Sequence, residues 1–214
     1  MNDIIQAITI YAIPIIFAIT LHEAAHGYVA RHFGDSTAYV QGRVTLNPLK
    51  HIDPIGTIAI PLVLALLQTG FLFGYAKPVP VVFGNLRNPK RDMIWVALAG
   101  PMANFVQALL WLVLLIAVTT LGVTEPYVYM VIRAGVSVNC VIFAFNLVPV
   151  PPLDGGRVLM GLLPTRAAIA FSRIEPYGFY IVMALVVTGV LNAWMRPIIG
   201  AMQAVLQLMI SPFI

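Results

Sequence analysis

The chain has 214 residues, of which 60% are hydrophobic and only 9% charged, with a formal net charge of +4. An ordinary soluble domain is about 45–50% apolar and about 25% charged. These values exclude a disordered protein, an ordinary nucleic-acid-binding domain and almost any soluble globular fold, leaving a polytopic helical membrane protein whose basic excess marks its cytoplasmic loops.

In chain order, Ile4 to about Phe33 reads as one long helix, apolar at first and then carrying Leu21-His22-Glu23-Ala24-Ala25-His26. Met1-Asn2-Asp3 offers no basic n-region, so the first helix is expected to be retained rather than cleaved as a signal peptide. Residues 37–46 read as two short β-branched strands around Gln41-Gly42, a membrane-associated β-hairpin. Residues 55–73 are apolar but broken by Gly56, Pro61 and Gly70 after Pro54. Met93–Leu121 and Tyr127–Val148 are long helices, the first interrupted by Gly100-Pro101. Residues 149–176 are punctuated by Pro and Gly. Two apolar segments, Tyr177–Trp194 and Pro197–Ile214, follow with a junction at Asn192–Arg196. The expected fold is an all-α polytopic membrane protein with five to six membrane helical segments, the hairpin and a re-entrant segment. It forms a single membrane-embedded domain over 1–214. Cys140, the only cysteine, cannot form an internal disulfide and reads as a small buried hydrophobe.

The chemistry concentrates in His22-Glu23-Ala24-Ala25-His26, an H-E-x-x-H pattern. On a helix, positions i and i+4 share a face, so two imidazoles converge on one metal ion with Glu23 placed as general base. Ionisable residues inside an apolar helix cost a few kcal/mol each by insertion scales, which makes a functional reading the default over a buried, internally paired cluster. Zinc needs a third protein ligand and an open fourth position. His32 has the spacing of an extended motif, but Val29 stands where a glycine would turn the chain back, and on a continuing helix His32 faces away. Asp154 follows a helix broken by Pro149, Pro151 and Pro152 and precedes Gly155-Gly156, which permits close backbone approach. Locally, an ordinary turn or N-cap aspartate fits it equally well.

Three motifs in order carry a resemblance: H-E-x-x-H at 22–26, G-P-x-x-N at Gly100 to Asn104, and N-x-x-P-x-x-x-x-D-G through Asn146, Pro149, Asp154 and Gly155. The chain resembles the site-2-protease-type intramembrane zinc metalloproteases, in the short form without a PDZ domain. That resemblance implies His22, His26 and Asp154 as ligands of one Zn(2+) per chain, Glu23 as catalytic base, and hydrolysis within a substrate's transmembrane segment. Asn104 reads equally as an oxyanion donor near the metal or as an interhelical hydrogen-bonding residue. Asn146 leans towards holding the proline-broken segment, with oxyanion contact open. A loop histidine, His51, and a turn aspartate, Asp53, are weaker candidates.

Sharing one metal requires the far ends of the first helix and of the Tyr127–Val148 helix to lie on one side. That follows if 55–73 is re-entrant, and ten of the twelve basic residues then gather there, the cytoplasmic side. The expected location is a cell membrane, multi-pass, with the active site towards the cytoplasm. The expected partners are a transmembrane protein substrate, which would add as a strand to the 37–46 hairpin, and the lipid bilayer, with no nucleic acid. A homo-oligomer or a regulatory membrane partner stays open. The rival readings are a metal transporter, opposed by the few polar residues after 176, and an inactive metal-binding scaffold, opposed by the intact Glu23.

Overall fold

The computed structural model describes residues 2–59, residue 63 and residues 77–213. Its first element, α1 (Asn2–His32), carries the apolar run and the H-E-x-x-H pattern on one continuous helix. Gly34 ends it at φ 113, donating its N–H to Arg31 O while the Asp35 N–H reaches Ala30 O. These paired bonds satisfy carbonyls that the last turn leaves open, and only the left-handed backbone at Gly34 allows both.

Beyond that cap the structure corrects the expected hairpin. Thr37–Val40 is a single helical turn, α2, and no strand occurs among the described residues. The Asp35 carboxylate accepts the Thr37 N–H at 3.0 Å and starts the turn. Gly42, at φ 63, ends it, with Gly42 N–H on Tyr39 O and Arg43 N–H on Ala38 O. A left-handed glycine closes a helix as readily as it makes a tight hairpin, so Gln41-Gly42 misled. A substrate strand has no hairpin to extend there. The expected re-entrant stretch 55–73 lies, Val63 apart, outside the described residues beyond Ala59. Its entry, Pro54–Ala59, is a π-helical turn started by Asp53, whose Oδ1 accepts the Ile55 and Gly56 N–H groups.

Two long helices follow, α3 (Pro89–Thr120) and α4 (Pro126–Asn146). The Arg87 N–H donates to Phe33 O at 2.9 Å, so α3 starts where α1 ends. At the other end Tyr127 OH donates to Thr9 O, so α4 starts beside the beginning of α1. The three helices therefore run up, down and up as one packed bundle. Small residues allow the close approach: Ala18, Ala24 and Ala30 on α1 and Ala97 on α3 are all buried. Such positions are how helices pack where lipid supplies no hydrophobic drive between them.

The Pro/Gly-rich stretch 149–176 contains two helices that composition did not reveal, α5 (Asp154–Leu162) and α6 (Thr165–Ser172). They precede α7 (Gly178–Val187) and α8 (Val190–Ile210). The break between the last two falls at Gly189, φ 76, and not at Asn192–Arg196; those residues and Pro197 lie within α8. Among the described residues, five helical stretches are long and apolar enough to cross a membrane: residues 5–32, 89–120, 126–146, 165–187 and 190–210.

Candidate metal centre

The bundle brings the third turn from the end of α1 against the middle of α3 and the first residue of α5. His22 Nε2 and His26 Nε2 stand 3.1 Å apart. Asp154 Oδ2 is 3.2 Å from the first and Asp154 Oδ1 is 3.4 Å from the second. The three side chains are between 7% and 12% exposed. His22, His26 and Asp154 form the one group of this kind able to hold a metal ion among the described residues.

The far side of each imidazole sets its tautomer. His26 Nδ1 faces the Val96 carbonyl at 2.7 Å, and a carbonyl only accepts, so His26 carries its proton on Nδ1. His22 Nδ1 faces Asn104 Oδ1 at 2.6 Å. The Asn104 amide nitrogen donates to Ala18 O at 3.2 Å and to Asn139 Oδ1 at 2.9 Å, which assigns its oxygen to His22. His22 therefore also donates from Nδ1. Asn139 Nδ2 in turn donates to Gly135 O, completing a buried chain from His22 across α3 to α4.

Both Nε2 atoms then present lone pairs to each other and to a carboxylate. Asp154 Oδ2 is buried and has no hydrogen-bond partner, its 3.2 Å approach to His22 notwithstanding, because the geometry there is not that of a hydrogen bond. Three lone-pair donors crowded together call for a cation. Tetrahedral zinc with ligand bonds near 2.0–2.1 Å sets its donors about 3.3 Å apart, and the observed separations of 3.1–3.4 Å match. Two imidazoles and a carboxylate, with no thiolate, are a zinc donor set of the open, catalytic kind. The residues fit the metal.

Gly100 makes this arrangement possible, a role its place in the G-P-x-x-N motif did not disclose. A Cβ there would press on His26 Nε2 and lie 2.5 Å from His22 Nε2 and Cε1. Gly155 and Gly156 similarly lie against the main chain of 147–151, holding Asp154 at the start of α5. Glu23 is tied from another direction: its Oε2 accepts the Val79 N–H at 2.7 Å, from an irregular segment over 77–82.

The other sequence candidates lie apart from the donors. Asn146 donates to Ile142 O, one turn back on α4. His32 is exposed, its ring edge-on to Phe33. His51 is buried, donates from Nε2 to Thr45 O, and accepts the Lys77 N–H at its carbonyl. Asn139, Val96 and Val79 are contacts that sequence reading missed, two of them main-chain groups that no side-chain pattern can announce.

Fold and site together define a polytopic helical membrane protein with a buried two-histidine, one-aspartate donor cluster. Peptidase family M50 matches residues 117–189, the stretch that includes Asp154. The chain is 37% identical over 194 residues to "Putative zinc metalloprotease YwhC" of Bacillus subtilis (strain 168), covering 88% of this chain and 85% of that protein. It is 32% identical over 187 residues to "Putative zinc metalloprotease Rip2" of Mycolicibacterium smegmatis, covering 84% and 67%, and 29% identical over 181 residues to the Rip2 of Mycobacterium tuberculosis H37Rv, covering 83% and 66%. No solved structure matches. The chain belongs to peptidase family M50.

Proposed function

We propose that this protein is an intramembrane zinc endopeptidase that hydrolyses a peptide bond within or near the transmembrane segment of a membrane-protein substrate. The observation that carries the reading is the convergence of His22 Nε2, His26 Nε2 and the Asp154 carboxylate, with both imidazole protons held on the far side. One zinc ion per chain would be held by these three residues. Zinc so bound supplies Lewis acidity and brings a water near pKa 7.

Glu23 is the general base. Its Oε2 is fixed by the Val79 N–H, which leaves Oε1 as the oxygen that receives the proton and later passes it to the leaving amine. Asn104 orients His22 instead of stabilising an oxyanion, because both its amide hydrogens are already used on Ala18 O and Asn139 Oδ1. Asn146 belongs to the helix end that precedes the proline-rich turn to Asp154. A substrate helix must unwind before cleavage, since its peptide groups are otherwise bonded within the helix.

The site lies towards the cytoplasm. The Phe33–Arg87 bond brings the end of α1 to the start of α3, and the His51–Lys77 bond joins residues 51 and 77. Both bonds support no net crossing between α1 and α3, which a re-entrant 55–73 would satisfy. Arg31, Arg43, Lys50, Lys77, Arg87, Lys90, Arg91, Arg157, Arg166 and Arg173 then share the site's side, and the basic side faces the cytoplasm.

The test uses the purified full chain with a transmembrane test substrate in detergent or liposomes. The wild type should contain about one zinc and cleave. Glu23→Gln should keep the zinc and lose cleavage. Cleavage by the Gln variant, or a metal-free wild type that still cleaves, would overturn the reading.

A further inference from the structure

Asp35 is a carboxylate that the mechanism above does not use, yet it is only 1% exposed and carries four hydrogen bonds. Its two oxygens do different things. Oδ1 accepts the Thr37 N–H and hydroxyl and the Asn85 amide, organising the turn after α1. Oδ2 accepts the Val82 N–H alone, at 2.7 Å. A turn by itself does not require a buried charge, and burying one is unfavourable unless its bonds are fully made.

The second oxygen connects to the metal centre. Val82, itself extended, ends the irregular segment 77–82, and three residues upstream the Val79 N–H holds Glu23 Oε2. Pro78 and Pro80 flank Val79, fixing φ near −65° and leaving the segment without N–H groups at those positions. Arg43 adds a clamp by donating to Lys77 O and Pro78 O. The segment is a proline-stiffened strap that runs between two carboxylates, Glu23 on α1 and Asp35 just beyond its cap. Its position along α1 is set by these two side chains together with the Lys77 N–H bond to His51 O and the packing of Val81 beside Ala30, Leu86 and Val96.

We propose that Asp35 is a positioning residue for Glu23, acting through the Val82 N–H and the strap to hold the Val79 N–H against Glu23 Oε2. The proposal rests on Glu23 being the base, as argued above. Loosening the strap frees the Glu23 side chain to leave its working rotamer without touching a metal-holding residue. Misplacement of a catalytic group by about 1 Å is enough to lower turnover on the order of 10²-fold.

Asp35→Asn separates the two oxygens. The amide oxygen still serves Thr37 and Asn85, while the NH2 group opposes the Val82 N–H, donor against donor. Val82→Pro removes the same bond from the other side. In the full-length zinc-loaded chain, each variant should lower kcat roughly 10- to 100-fold, leave KM within about twofold, retain zinc and speed hydrogen exchange over 77–82. The double variant should be no slower than the slower single variant, because the two changes break one interaction. Thr37→Val, which removes the hydroxyl bond to Oδ1 and the Asn85 amide's bond to that hydroxyl but leaves the Oδ2–Val82 bond intact, should retain wild-type kcat. Wild-type kcat in Asp35→Asn, additive losses in the double variant, loss of zinc, or an equal loss in Thr37→Val would each overturn the proposal. If Asp35→Asn fails to accumulate, Val82→Pro with Asp35 intact decides it by the same kcat and exchange criteria. Glu23→Gln run alongside separates the two ideas: if it cleaves, the assignment of the base has failed; if it is inactive while Asp35→Asn is fully active, only this proposal has.

Discussion

Gly100 occupies the space between two imidazoles, and its missing side chain sets the distance of α3 from α1. Gly100→Ala should therefore lose zinc binding while keeping helix content, measured by metal analysis and circular dichroism. Asn104→Ala leaves the His22 Nδ1–H without its acceptor. Loss of such a supporting bond lowers metal affinity or activity about 10- to 100-fold, and a zinc-chelator competition assay reads it. Asp154→Ala should lose both zinc and cleavage, whereas His32→Ala should keep both. The H-E-x-x-H histidines were legible because helical spacing alone puts them on one face. Asp154 was legible as a candidate only, since an aspartate before Gly-Gly also suits a plain turn. The use of Asn104 was not legible: a sequence shows an amide but not whether its oxygen or its nitrogen faces the metal side. Here the oxygen faces His22, and the nitrogen is used elsewhere.

At the level of elements, the three long helices of the bundle were readable to within a few residues because twenty-odd apolar residues leave few alternatives in a membrane, whereas the junction of the last two segments was misplaced by several residues. Short elements were not. Thr37–Val40 has the β-branched composition of a strand, yet the Asp35 side chain and the left-handed Gly42 make it a helical turn. Local capping decided the outcome, and propensity alone could not anticipate it. The helices α5 and α6 were likewise masked by the prolines and glycines at their boundaries, which here end helices instead of preventing them. The order of α1, α3 and α4 gives a direct test. With Cys140 replaced, single cysteines at Ser36 and Asn88 should label from the same, cytoplasmic side and one at Thr124 from the other. Labelling of Ser36 and Asn88 from opposite faces would rule out the up-down-up arrangement.

For the whole molecule, a metal that binds only the folded bundle adds stability by mass action, about 4 kcal/mol when free zinc is 1,000-fold above Kd. Chelation should lower the thermal midpoint, and added zinc should restore it. Acidity acts elsewhere. Burial raises the Asp35 carboxyl, but the bonds from Thr37, Val82 and Asn85 outweigh it and hold the group below the usual carboxylate range. A depressed folded-state value means that its contribution is present above the unfolded value, about 3.9, and is lost as pH falls through the folded one. Stability measured against pH should therefore fall below about pH 4, and Asp35→Asn should flatten that limb.

The three residues proposed to hold the metal are far apart along the chain: more than half of it separates His26 from Asp154. At 5–20 residues per second of synthesis, the interval between them is on the order of ten seconds. During that time α1 is already in the bilayer with its histidines and glutamate, next to the membrane insertion machinery and other nascent helices, but the carboxylate has not been made. The growing chain lacks the third proposed ligand until the residues beyond its third long helix are made. A chain halted before Pro151 should insert, bind no zinc and cut nothing, so that proteolytic competence requires synthesis past the third long helix.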